Sequence, residues 1–158
     1  MALAKRKRAV KRQIVAETFV FRIDTILPDY SFTIGHERFG DGDYAEHSQT
    51  KINATCLVPH RFEGRATTLT LLGSRQIIDK ISKRSPASGH TPNIGSLTMR
   101  GECSEYLGSI PFDAALALPA ITLLGGFKFI SLSGTPTRGG KIQVNYMSFF
   151  TEFDPDNY

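Results

Sequence analysis

Carboxylates and imidazoles hold divalent metals, and one stretch of this chain concentrates both. Between His36 and His47 stand Glu37, Asp41, Asp43 and Glu46, with Gly40 and Gly42 among them. Oxygen ligands of this kind suit Ca²⁺ or Mg²⁺; oxygen combined with nitrogen suits Zn²⁺. His36, Asp41, Asp43, Glu46 and His47 are therefore the candidate metal ligands. Their spacing follows no standard ligand pattern. Asp41-Gly42-Asp43 lacks the third acidic position and the closing glutamate of an EF-hand. Gly40 stands where His36-Glu37 would need a second histidine for a zinc-protease helix. A solvated turn is the competing reading, and no cofactor is called for.

A second polar constellation is His60, Arg61, Glu63 and Arg65. An imidazole beside a carboxylate can move protons, and two guanidinium groups can clamp an anion. A polar turn between two strands explains the same residues. His90 lies in a Ser/Pro/Gly-rich stretch with no carboxylate near it in sequence. The serines Ser31, Ser96 and Ser131 lack a G-x-S-x-G elbow, and no G-x-x-x-x-G-K phosphate loop occurs. No catalytic residue is assigned.

The third feature is electrostatic. Lys5, Arg6, Lys7, Arg8, Lys11 and Arg12 place six of the 19 Lys and Arg residues in the first twelve positions. Residues 13–158 then carry thirteen cations against 15 carboxylates, so the net charge of +4 belongs to the arm. Such a run can neutralise phosphates and release counterions. No aromatic residue is interleaved with it to stack bases, so recognition independent of sequence is expected. These six residues are the candidate contacts for nucleic acid, another polyanion, or an acidic protein surface, including that of a second copy.

The elements that must position these groups are mostly strands. Phe19, Phe21 and Ile23 alternate with polar residues over Ile14–Ile26, and Tyr30, Phe32 and Ile34 do so again after Pro28-Asp29. Ile52, Ala54, Cys56 and Val58 form a third alternating run, and Thr67, Leu69 and Leu71 a fourth. Two hairpins are expected, one joining 94–99 to 102–110 and one joining 127–133 to 141–150. In the last strand Ile142, Val144, Tyr146 and Ser148 are expected on one face, with Met147 and Phe149 on the other. Residues 35–49 and 82–93 read as long loops, and the spacing of Ile77, Ile78 and Ile81 suits a short helix.

Between the hairpins, Pro111–Leu124 is apolar apart from Asp113 and closes on Gly125-Gly126. Ala and Leu favour helix, and the glycine pair suits a left-handed cap. Pro119 predicts a kink. With apolar residues on nearly every side, this helix is expected to be widely buried, and Leu116→Asp is expected to unfold the domain.

The expected architecture is mainly β, a β-rich α+β fold. About eight mostly antiparallel strands form a sandwich or a strongly curved sheet around one main buried helix near 111–124. Residues 1–13 are the basic arm and 14–158 a single globular domain. The apolar segment is shorter than the ~20 residues that cross a bilayer, so no membrane role is expected. Cys56 and Cys103 lie in predicted strands with no C-x-x-C spacing and no apolar leader before them. Reduced thiols and a cytoplasmic location are the corresponding expectations.

Opposite charge at the two termini permits a clasp within one chain or a head-to-tail contact between subunits. The expected function is a non-enzymatic interaction or assembly module whose arm meets a polyanion or an acidic subunit. The alternative is a small hydrolase-like enzyme using loops 36–47 and 60–65, with or without a metal.

Overall fold

The computed structural model describes residues 15–34, 44–75, 93–100, 103–137 and 139–157, with the side chains of 32–34, 44–47 and 103 left aside. Seven strands are present: β1 (Glu17–Ile34), β2 (Tyr44–Val58), β3 (Ala66–Ser74), β4 (Gly95–Arg100), β5 (Cys103–Pro111), β6 (Phe129–Pro136) and β7 (Lys141–Phe150). A helix, α1 (Phe112–Leu123), joins β5 to β6. The strands close into a barrel in the order β1-β2-β3-β5-β4-β7-β6. Every pairing is antiparallel except β3 with β5, which run parallel from Thr68↔Glu105 to Ser74↔Pro111. The expected sandwich is thus replaced by a closed barrel. Closure comes from β1 pairing with β6, from Glu17↔Gly134 to Arg22↔Phe129.

Alternation along the strands fills the interior. Phe19, Phe21, Ile52, Leu69, Leu71, Leu97, Ile130, Leu132 and Val144 are fully buried there. Each such side chain contributes roughly 1.5–3 kcal/mol by leaving water. Tyr106 lies across two inward glycines, and a Cβ at Gly108 would collide with its ring and one at Gly95 with its hydroxyl. Its hydroxyl donates to the Ile94 carbonyl at 3.3 Å.

The two strands expected before residue 35 are one. Pro28 does not break β1, because β1 beyond Ile23 pairs with β2 and, among the described residues, no strand pairs with its other edge; an edge tolerates the missing N–H. The change of inward phase, from Phe19, Phe21 and Ile23 to Ile26, is made by a register shift between Ile23 and Thr25. Such a bulge re-aims every following side chain. Asp24 at the shift accepts from Thr55 Oγ1 at 2.6 Å and pairs with Arg22 at 3.1 Å. A second shift lies between Ser133 and Gly134, where β7 places Val144 opposite Gly134 and Tyr146 opposite Ser133. The inward set of β7 is therefore Ile142 and Val144, then Met147 and Phe149, and Tyr146 is exposed. That corrects the uninterrupted alternation expected for the strand.

The helix crosses one end of the barrel and packs on β1, β2, β3 and β5. Only Phe112, Ala115, Leu118 and Pro119 are buried. Leu116, Ile121, Leu123 and Leu124 are exposed, Leu124 by 88%. The expectation of a widely buried helix is corrected on this point: composition gives no exposed side, and packing supplies one. At its end Gly125 has φ 79°. The Gly126 N–H donates to Ile121 O and the Gly125 N–H to Thr122 O, both at 2.9 Å. The expected glycine cap is present as a Schellman motif.

Pro119 sits inside the helix, which continues through it to Leu123. Proline has no N–H to give the carbonyl one turn back, that of Ala115. Thr50 of β2, fully buried, donates its hydroxyl to the Ala115 carbonyl at 3.4 Å. The barrel wall thus supplies the hydrogen bond that the helix lacks. Thr50→Val should cost about 0.5–1.5 kcal/mol. The cost should shrink when Pro119→Ala restores the helical donor, which a double-mutant cycle by urea unfolding would measure.

Burial also separates neighbouring leucines. Leu118→Ala should cost about 2–5 kcal/mol, and Leu116→Ala about 0.5 kcal/mol or less. Thermal denaturation of the pair checks this, and aspartate at 116 is expected to leave the fold intact.

Candidate functional site

Strand directions give the barrel two unlike ends. One carries the start of β1, the β2–β3 turn, the end of β4 and the turn between β6 and β7. The other carries the helix, the end of β7 and the C-terminal residues.

The first end is closed by a compact turn. A 3-10 turn spans His60–Phe62 after a cis Val58-Pro59 bond. Phe62 N–H donates to Pro59 O at 2.9 Å, Gly64 N–H to Cys56 O at 2.8 Å, and Cys56 N–H to Arg65 O at 2.9 Å. Gly64 has φ 77°, a backbone conformation that suits glycine. The turn folds Phe62 onto Phe19, ring centroids 6.1 Å apart. The guanidinium carbons of Arg61 and Arg65 lie 5.1 and 4.9 Å from the Phe62 centroid.

Arg61 Nη2 donates to Glu17 Oε2 at 2.5 Å, tying the turn to the first residue of β1. His60 Nδ1 and Glu63 Oε2 are 2.8 Å apart, with the imidazole 95% exposed. Arg65 Nη1 is buried without a hydrogen-bond partner among the described residues. Glu17, Arg61, Phe62 and Lys141 share the lining of a small recess of about 130 Å³. Arg100, at the end of β4, is exposed at this end.

Two buried hydroxyls interrupt the apolar interior. Thr67 Oγ1 and Ser104 Oγ are 2.7 Å apart, and Ser104 reaches Met99 Sδ at 2.8 Å. Cys56 is a free thiol with no exposed surface. Burial pushes its pKa up from 9.0 to about 11, opposed in part by a backbone hydrogen bond from Val58 and by Arg65. The nucleophile would be the thiolate, and near neutral pH this environment favours the thiol. The hydroxyls engage each other and Met99, so the layer holds no general base beside a nucleophile among the described residues.

The turn brings together all four residues of the sequence constellation, in pairs. His60 meets Glu63, Arg61 meets Glu17, and both guanidinium groups lie near Phe62. Glu17 and Phe62 belong to this site and escaped the sequence reading. Glu17 is 44 residues from its partner, a separation that no local pattern bridges.

The other expected sites fall differently. Lys5, Arg6, Lys7, Arg8, Lys11 and Arg12 lie outside the described residues, as do His36, Asp41 and Asp43. Glu46 and His47, expected in the loop, belong to β2, paired with Phe32 and Ser31. The loop is thereby shorter than the expected 35–49, because β2 begins at Tyr44. Among the described residues no three His, Cys, Asp or Glu side chains gather as a metal group. No described helix is long and apolar enough to cross a membrane.

Comparison with protein-family models, curated proteins and solved structures finds no match to the chain.

The buried thiol has a measurable consequence. A group whose folded pKa is raised binds its proton more tightly when folded. Cys56 therefore contributes stability in full below pH 9.0, and that contribution is lost as pH rises through 9.0 to about 11. Between those values wild type should lose on the order of 1–3 kcal/mol more than Cys56→Ala. Urea unfolding of both proteins at pH 8 to 11 measures the difference. Comparison with the variant removes the parallel effect of Tyr106, whose phenol is also pushed up by burial.

Proposed function

We propose that the protein is a non-enzymatic binding module that docks on a polyanion, of which nucleic acid is the leading case. The observation that carries this reading is where the chain enters the barrel. β1 begins at Glu17, on the end that also presents Arg61, Arg65, Arg100 and Lys141. The sequence before it holds Lys5, Arg6, Lys7, Arg8, Lys11 and Arg12 and is tethered to that same end. Two carboxylates among the described residues there, Glu17 and Glu63, are each held by a neighbour, Arg61 or His60.

The outer wall of the barrel is a poorer surface for the purpose. Barrels of the oligonucleotide-binding type work through the outer face of their second and third strands, and single-stranded bases bind by stacking on rings over a cationic groove. Among the described side chains of β2 and β3 the exposed ones are Lys51, Asn53, Ala66, Thr68 and Leu72: one cation and no ring. Phosphate contact at the basic end, without base readout, follows from that composition.

A second reading keeps the arm and changes its partner. Glu152 and Asp156 are exposed at the helix end. Asp154 beside them is occupied by the Asp156 N–H at 3.1 Å and by Asn157 at 2.7 Å. The first residues of β1 and the last of β7 thus lie at opposite ends, roughly 17 Å apart over the five-residue step from Glu17 to Arg22. About five extended residues cover that distance, so the arm is long enough for a clasp within one chain as well as for a head-to-tail contact between copies. Such a contact is heterologous and propagates unless its rotation closes a ring.

Deleting residues 1–12 should leave the barrel folded and weaken binding to a nonspecific oligonucleotide by more than tenfold at low salt. For full-length protein the affinity should fall with salt at a log–log slope approaching −5 on duplex if all six cations engage. The slope should be shallower for the truncated form. Sedimentation at low and high salt, with and without oligonucleotide, separates the partners. Larger species of full-length protein without oligonucleotide support the subunit reading. Identical sedimentation of both forms in every condition overturns both.

A further inference from the structure

At the helix end the barrel holds an open cavity of about 460 Å³. It is independent of the basic end and of the reading built on it. Its floor and walls come from β5, α1, β7 and the residues just before β4 and β6. Ile110 and Leu118, both buried, form the inner surface. Phe127 and Phe149, ring centroids 5.6 Å apart, form one wall. Ala114 and Ala117 of α1 form the opposite wall. Met147 completes it, aimed inward by the register shift in β7.

We propose that this cavity binds a single aliphatic chain, the hydrocarbon part of a fatty acyl or alkyl amphiphile, with its polar head left in solvent. The volume lies in the roughly 300–1,000 Å³ range of small-molecule sites. Among the described residues the lining carries no charged side chain, and Ser109 is its one polar residue, so none of them would pair with a carboxylate or a phosphate. An apolar hollow of this kind holds water poorly and apolar ligands well. Methionine and two tilted phenyl rings adapt to a flexible chain better than to a rigid polar ring system. The helix wall is low because its residues are alanines; leucines at 114 and 117 would fill the space. The cavity is open to one side, and Ile121, which lines it, continues into exposed Leu123 and Leu124. A chain longer than the cavity would therefore meet apolar surface where it emerges.

The test uses the full-length protein with decanol and decanoate. Anilinonaphthalene sulfonate serves as a displaceable reporter. Saturable dye binding near one site per chain, displaced by both compounds, is the expected result. Ala117→Phe, which fills the cavity, should weaken displacement at least tenfold. Ala120→Phe, exposed on the same helix and outside the cavity, should leave it unchanged. Wild-type protein labelled at the methionine methyl groups provides a measurement that no variant can compromise: decanol should shift the Met147 methyl resonance and leave Met99, at the basic end, in place. Displacement unaffected by Ala117→Phe in a cooperatively folding variant overturns the proposal. So does a wild-type protein in which decanol moves no Met147 signal. Displacement by benzoate but not by decanol would also overturn it, because the cavity would then take a ring and not a chain.

Discussion

The pairing of β1 with β6 is the contact on which the other features depend. It joins the first strand to the sixth over only six residue pairs, Glu17↔Gly134 to Arg22↔Phe129. Without it the sheet would have two edges and an apolar face turned to water, the arrangement that invites pairing between chains. With it, Phe19 and Phe21 enter the same interior as Ile130 and Leu132. The side chains beside the seam support the closure: Thr18 and Ser133 are in hydrogen-bond contact at 2.8 Å. Such a contact between distant parts of the chain costs loop-closure entropy that later contacts must offset. The seam is correspondingly a place where small losses of packing have large effects.

Closure also explains why the helix is half covered. Only the first six residues of β1 pair with β6, and the rest runs past the closed section with β2 beside it. That extension gives α1 something to lie on. Tyr30 meets Phe112 edge to face at 6.5 Å, and Thr50 meets the Ala115 carbonyl. The helix is seated on the β1–β2–β3 side, and its other flank faces the cavity. Proline at 119 is tolerated because the surface beneath it provides a donor. A helix in water would have no such donor fixed in place, and Pro119 would be a net cost of about 3 kcal/mol.

Much of this was legible in the sequence, because alternation reports burial directly. The inward residues of β3 and most of those of β2, the two later hairpins, the helix and its glycine cap could all be read from local pattern. What could not be read was pairing between distant strands. The β1–β6 seam and the parallel β3–β5 contact join segments that no local rule relates, so a curved sheet and a barrel looked alike. The register shifts after Ile23 and at Ser133–Gly134 were hidden for another reason. A change of phase after Ile23 looks like two strands, and a change after Val144 looks like noise within one. Leu116 was misplaced because a helix apolar on every side offers no moment from which to choose its buried face. At the candidate site, His60 to Arg65 were visible as a polar cluster. Their partners Glu17 and Phe19 became visible only once the chain had closed.

The two ends then differ in kind, and the difference follows from the same topology. An odd number of strands with one parallel pair puts the turn connections, and the start of the chain, largely at one end. Turns between strands are polar, so Arg61, Arg65, Arg100 and Lys141 collect there. At the other end β5 and β6 cannot be joined by a turn, because β4 and β7 lie between them in the barrel order. The chain must cross, and it crosses as an apolar helix. A crossing element over a barrel mouth must be apolar beneath and is usually polar above. Here Asp113 is the one charge along α1, and alanines occupy much of its outer surface. Solubility alone would favour Glu or Lys at Ala114, Ala117 and Ala120, which are also good helix formers. Stability does not require alanine at exposed positions 114 and 117 either. Short apolar side chains there are accounted for by what they leave open, the space between the helix and the rim of the barrel.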